Sequence, residues 1–156
     1  MRIKNLIEED FVQYKLPSMF IGTCFCTFKC GAENCQNSAL ANGRIIDIPD
    51  DDLILRYLNN PLTQSIVFGG LEPFDQFEEL EWFLKRLRGK YGCKDPVVIY
   101  SGYTEEELAN YHISDPNLIV KVGRYLLNKP SRYDPLLGVT LASNNQYAVN
   151  WSDTSA

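Results

Sequence analysis

The densest chemistry in this sequence is a run of four cysteines within twelve residues, Cys24-Phe-Cys26-Thr-Phe-Lys-Cys30-Gly-Ala-Glu-Asn-Cys35. Thiolates on short loops hold iron–sulfur clusters. The three residues between Cys26 and Cys30 let the loop wrap one edge of a cubane, and a third cysteine completes three corners. The fourth iron is then open to a substrate. The same thiols could hold zinc, or stay free as redox groups. Structural zinc usually shows two separated cysteine pairs, whereas these residues form one dense group. Spacing therefore favours a cluster without removing the other two readings, and it leaves Cys24 in competition for a ligand position. Cys93 stands apart and reads as a buried apolar cysteine.

The five cysteines are odd in number and mostly clustered, and no secretory segment is apparent, which favours a metal site over a disulfide framework. No apolar run is long enough for a membrane span, and the chain reads as cytoplasmic. The net charge of −5 opposes general binding to nucleic acid or to a membrane surface. With 156 residues and 45% hydrophobic content, residues 1–156 fit a single domain with its own core.

The elements that must position the cysteines alternate along the chain. Met19 to Gly22 reads as a buried strand entered from Pro17. Pro49 with Asp50, Asp51 and Asp52 marks a helix start, because proline suits the first turn and acids suit the positive end of the dipole. Ser65 to Phe68 is a strand stopped by Gly69-Gly70. A longer helix begins at Asp75, with Phe77, Leu80, Phe83, Leu84 and Leu87 at helical spacing up to Gly89. Pro96 to Tyr100 and Leu118 to Val122 are strands, separated by a capping box at Thr104 and Glu107. Asn128 to Asp134 is loop-like, and Val139 to Leu141 and Tyr147 to Val149 are short extended pieces. Because a βαβ unit takes about 30 residues, the expected architecture is α/β: an open partial (β/α) barrel of about five or six mostly parallel strands with outer helices. Ligands of such sheets bind at the carboxyl ends of the strands, where the cysteine loop, Gly69-Gly70 and Ser101-Gly102 would meet.

Cys26-Thr-Phe-Lys-Cys30 with Cys35 resembles the cluster loop of the radical S-adenosylmethionine superfamily. Ile66-Val-Phe-Gly-Gly-Leu-Glu-Pro73 is similar to its Gly-Gly-Glu-Pro motif. Ile99-Tyr-Ser-Gly-Tyr-Thr-Glu-Glu-Glu-Leu108, Ile119-Val-Lys-Val-Gly-Arg-Tyr125 and Ala142-Ser-Asn-Asn-Gln146 resemble the branch that activates anaerobic ribonucleoside-triphosphate reductase. The resemblance spans residues 18 to 147. It implies a [4Fe–4S] cluster on Cys26, Cys30 and Cys35, with S-adenosylmethionine as the second cofactor. It further implies reductive cleavage of S-adenosylmethionine to a 5′-deoxyadenosyl radical, which makes a glycyl radical on a partner enzyme. That partner would be anaerobic ribonucleotide reductase, served by an electron donor such as flavodoxin or ferredoxin. The alternatives are a radical enzyme acting on a small molecule and a zinc-stabilised module without catalysis.

On this resemblance, backbone groups near Gly69 and Gly70 receive the methionine amino group, Glu72 holds the shape of that loop, and Phe28 contacts the adenine. Ser101 either bonds the cofactor or caps the Gly102 turn. Asn145, with Asn144 and Gln146, either lines the adenine site or belongs to an ordinary loop. His112, the only histidine, reads as a local or surface residue, and Trp82 as core or interface.

Overall fold

The computed structural model describes residues 1–24 and 44–152. Cys26, Phe28, Cys30 and Cys35 lie outside the described residues.

Four strands form the parallel centre of the sheet: β3 (Ser18–Thr23), β5 (Ser65–Gly70), β6 (Val97–Tyr100) and β7 (Leu118–Val122). They stand side by side in chain order. All of β3 and β7 is buried, and so is β5 up to its last residue, which explains why they read as continuous apolar runs rather than alternating ones. Antiparallel strands close both edges, β2 (Asn5–Asp10) against β3 and β10 (Tyr147–Asn150) against β7. Two further pairs lie outside this sheet, β1 (Arg2–Ile3) with β4 (Ile46–Asp47) and β8 (Arg132–Asp134) with β9 (Val139–Leu141).

Helices are sparse. They are α1 (Asp50–Asn59), α2 (Phe77–Lys85) and α3 (Glu105–Leu108), with a 3-10 turn at Pro73–Gln76 leading into α2 and a π turn at Arg86–Lys90 leading out. The capping box of Thr104 and Glu107 forms, yet the helix it starts lasts a single turn. Right-handed crossovers between strands in monotonic order put helices on the same face, and the three described helices pack there. Accordingly Leu53, Ile54, Leu80, Phe83 and Leu108 pack in one cluster with Met19, Ile21, Phe68, Ile99 and Val120. The other face presents Phe20, Val67, Val98 and Ile119 to Tyr14, Leu137 and Leu141, which come from the 11–17 connection and the β8–β9 region.

The expected partial (β/α) barrel with outer helices is therefore corrected to a mixed six-stranded sheet with few helices, 24% of the described residues being helical. Parallel pairing requires a long crossover. The link from β2 to β3 is too short to supply one, so that edge runs antiparallel; β10 reaches the other edge through the longer 123–146 connection, which carries the β8–β9 pair, and returns antiparallel to β7. Arg132–Asp134, expected within a loop, pairs as β8.

Trp82 does not belong to the core. It is 61% exposed, with the Lys85 ammonium 5.7 Å from its ring centre. Phe83 takes the core position instead, fully buried and edge-on to Phe68 at 5.2 Å. Cys93 is buried, as expected. Among the described residues, no helix is long and apolar enough to cross a membrane. Phe83→Ala should cost about 3–5 kcal/mol of stability by denaturant titration, whereas Trp82→Ala should stay within about 0.5 kcal/mol of wild type.

Candidate functional site

Parallel register brings the carboxyl ends of the four central strands to one rim. Thr23 stands beside Gly70, and Tyr100 beside Lys121. The chain leaves the described region from this rim at Cys24. Cys24 is 4% exposed, and its backbone N–H donates to the side-chain carbonyl of Gln76. The Gln76 amide in turn donates to the Arg2 carbonyl at 3.0 Å. Burial pushes the Cys24 thiol up, and the charge of Glu79 adds to the effect.

Each loop at the rim is fastened by side chains to backbone. The Thr23 hydroxyl donates to the Gly69 carbonyl at 3.0 Å. Gly69 has no room for a side chain, since a Cβ would stand 2.8 Å from the Phe20 ring. Gly70 has φ +84, a left-handed conformation that L-residues rarely adopt. Glu72 follows, 4% exposed, and its carboxylate accepts from Phe74 N–H at 3.1 Å, from Gly102 N–H at 2.7 Å and from the Ser101 hydroxyl at 3.0 Å. Ser101 Oγ also accepts from Tyr103 N–H at 3.0 Å. Ser101 thus caps the Gly102 turn, and Glu72 joins the loop after β5 to the loop after β6. The Tyr103 hydroxyl donates to Asp75 and makes a second join between the same loops.

The remaining loops follow the same pattern. Gly123, with φ +98, donates its N–H to the Tyr103 carbonyl at 2.8 Å. Its carbonyl accepts from the buried Lys121 ammonium at 3.0 Å and from the Gln146 amide at 3.3 Å. Gln146 also accepts from Ser143 N–H, so both ends of its amide are engaged in the loop. Asn145 differs. Its amide nitrogen donates to the Arg124 carbonyl at 2.7 Å, while its Oδ1 is buried without a hydrogen-bond partner. Arg124 Nη2 donates to both carboxylate oxygens of Glu107, at 2.7 and 2.8 Å. His112 is exposed.

The described rim thus holds Gly69, Gly70, Glu72, Ser101 and Asn145 on adjacent loops. Glu72 and Ser101 are occupied with each other, Gly70 is left-handed, and the Asn145 Oδ1 is buried without a hydrogen-bond partner. Gln76, Tyr103 and Arg124, which fasten the loops, escaped sequence reasoning because nothing in their spacing marks long-range side-chain-to-backbone ties. Among the described residues, no three Cys, His, Asp or Glu side chains come together as a metal site; the cysteines expected to bind one fall in 25–43.

A family model described as "4Fe-4S single cluster domain" matches residues 18–134, from β3 through β8, and so includes Cys26, Cys30, Cys35 and the loops after β5, β6 and β7. No curated protein and no solved structure matches the chain.

Burial is the main reason that the Glu72 carboxyl is raised from 4.5 to about 7, with Asp75 adding to the effect and the hydrogen bonds to Gly102, Phe74 and Ser101 opposing it. The folded state then binds more protons than the unfolded state between these values, so this group stabilises most below 4.5 and loses that contribution as pH rises through about 7. The stability of wild type relative to Glu72→Gln should therefore fall between pH 5 and pH 8, by as much as about 3 kcal/mol in denaturant titrations.

Proposed function

We propose that this chain, which belongs to the 4Fe-4S single cluster domain family, is a radical S-adenosylmethionine enzyme of the glycyl-radical activating type. The observation that carries this reading is the shared rim. The chain enters its cysteine segment at Cys24, beside the left-handed Gly70 and the loops after β6 and β7. A cluster and a ligand held there would be neighbours.

In this reading Cys26, Cys30 and Cys35 hold three irons, and the fourth is left for the ligand. When bound and reduced, the cluster supplies one electron to the sulfonium of S-adenosylmethionine; C5′–S cleavage then yields methionine and the radical that takes a hydrogen atom from a partner's backbone glycine. This chain's own residues bind and orient. The backbone at Gly69 and Gly70 receives the methionine end, with no Cβ at Gly70 to keep the ligand away. Asn145 Oδ1 accepts from the exocyclic amine of the adenine, which satisfies a buried oxygen otherwise without a partner. Phe28 supplies a face for the adenine ring. Ser101 acts through its turn and not through its hydroxyl, which is already engaged with Glu72 and Tyr103.

The partner is a glycyl-radical enzyme, anaerobic ribonucleotide reductase by the resemblance of Tyr100-Ser-Gly-Tyr103 and Ser143-Asn-Asn-Gln146. A flavodoxin or ferredoxin would supply the electron. The protein so read works in the cytoplasm. A zinc module without catalysis leaves Gly69-Gly70-Leu-Glu-Pro73 at a strand end unexplained.

After anaerobic reconstitution with iron and sulfide, alanine at Cys26, Cys30 or Cys35 should remove the broad visible absorption and the formation of 5′-deoxyadenosine, while Cys93→Ala should leave both. A mild Cys26→Ala with a damaging Cys24→Ala would reassign the ligands. Asn145→Ala should weaken S-adenosylmethionine binding about fivefold to tenfold by calorimetry, as expected for one lost buried hydrogen bond. Mixing the reduced protein, S-adenosylmethionine and the reductase should give a glycyl doublet by electron paramagnetic resonance, lost when the partner's glycine is alanine. Formation of 5′-deoxyadenosine with no radical on the reductase would favour a small-molecule substrate.

A further inference from the structure

The chain beyond the start of β7 differs in charge from the rest of the molecule. Residues 116–152 carry Lys121, Arg124, Lys129 and Arg132 against a single acid, Asp134, in a chain whose net charge is −5. That acid is buried, accepts from the N–H groups of Leu136, Leu137 and Ala148, and lies 3.8 Å from Arg132. Lys121 is buried and Arg124 is engaged with Glu107, so Lys129 and Arg132 are the exposed cations. They sit in eight consecutive exposed residues, 126–133, of sequence Leu-Leu-Asn-Lys-Pro-Ser-Arg-Tyr. Leu127 and Tyr133 are more than half exposed. Hydrogen bonds fasten this run at both ends to one turn. Leu126 N–H donates to the Ser143 hydroxyl at 3.3 Å, and Arg132 Nη1 donates to the Gln146 carbonyl at 3.0 Å. The Asn145 amide holds the Arg124 carbonyl just before it. The exposed side chains thus stand on a backbone clasped to the 143–146 turn, beside the rim.

We propose that residues 126–133 are the docking surface for the protein that receives the radical, and that they take a face of it carrying carboxylates around apolar side chains. The proposal rests on the reading of the chain as a glycyl-radical activator. Single apolar side chains on a surface are ordinary. Here Leu126, Leu127 and Tyr133 are grouped with two cations and no acid, on a backbone already held in place, so little ordering is left for the partner to impose. Aromatic and arginine side chains anchor protein contacts, and the cations select a partner face of opposite sign. Position separates this partner from the electron donor. The cysteine segment begins at the end of β3, whereas residues 126–133 follow β7, three strands further along the rim. At about 4.8 Å per strand, that is about 14 Å. A donor gains by docking on the β3 side, near the cluster. A glycine has to reach the rim, and a surface at its β7 end holds the protein that carries it while leaving the β3 end free.

The test is anaerobic titration of reconstituted, unreduced holoprotein and S-adenosylmethionine with anaerobic ribonucleotide reductase, for wild type, K129E, L127D and L55D. K129E should bind the reductase about fivefold more weakly at low salt and draw level with wild type in about 0.5 M salt. L127D should bind about tenfold more weakly at either salt concentration. L55D changes an exposed leucine of α1, on the helical face, and should bind as wild type does. Formation of 5′-deoxyadenosine with dithionite and no partner should be the same in all four proteins. Equal affinity in all four, with a glycyl doublet still formed, overturns the docking surface and leaves the proposed function standing. Unchanged reductase binding with slower reduction of K129E by flavodoxin assigns the surface to the electron donor and overturns the proposal as well. Loss of partner-free 5′-deoxyadenosine in K129E and L127D moves these residues into the ligand site and overturns it too. A wild type that neither binds the reductase nor gives it a radical removes that partner, and this proposal with it.

Discussion

Four parallel strands laid side by side in chain order constrain everything else in this protein. Because β3, β5, β6 and β7 share one direction, their carboxyl ends form a single rim. Because their order is monotonic, right-handed crossovers place α1, α2 and α3 on one face only. Among the described residues, the opposite face then has no helix to cover it. It is covered instead by Tyr14 from the 11–17 connection and by Leu137 and Leu141 near the β8–β9 pair. The antiparallel β2 edge follows from its short link to β3, which can only turn back.

The two ends of this ladder are secured by opposite charges with different partners. At the amino end, Arg88 makes a fork to Asp115 at 3.0 Å and donates to the carbonyls of Cys93, Asp95 and Asn117. Those carbonyls belong to the links entering β6 and β7, so one guanidinium aligns both strands. It is a planar donor surrounded by acceptors and by a counter-ion, which makes it a fixed joint. At the carboxyl end, Glu72 has donors but no counter-ion among the described residues. A charge held without an opposite charge is close to giving way to its neutral form.

The parallel centre was legible because buried strands announce themselves. Ser65–Gly70 and Leu118–Val122 are apolar runs bounded by glycine, and the capping box at Thr104 and Glu107 formed as its spacing requires. The edge strand Asn5–Asp10 was not legible, because its Asn-Leu-Ile-Glu-Glu-Asp pattern has no clean two-residue period and one side faces solvent. Trp82 and Phe83 show a further limit. Phe83 belongs to the apolar stripe of Phe77, Leu80, Leu84 and Leu87 and meets Phe68, while Trp82 falls on the opposite side of α2 and meets water, so the periodicity carried more than was read from it. At the site, the residue types and their placement at strand ends were readable, as was the loop-holding part of Glu72. The division of labour between Ser101 and Asn145 was not, because it depends on which partner stands within 3 Å.

The barrel expectation failed where helices ran out, and that shortage explains the character of the rim. In a sheet with full helical crossovers, the loop after each strand leads into a helix whose first turn fixes the backbone. Here α3 is a single turn, and β7 leads to no helix among the described residues. The rim loops must be held by something else, and side chains bonded to backbone supply it: Thr23 to Gly69, Glu72 to Gly102, Ser101 to Tyr103, Gln146 to Gly123 and Ser143. Each of these residues is 6% exposed or less, so water competes weakly for the bonds. Buried polar side chains in such numbers are costly in a core and useful in a site. At the carboxyl ends of β3, β5, β6 and β7 they do the work that helix first turns do elsewhere, fixing the loop backbones.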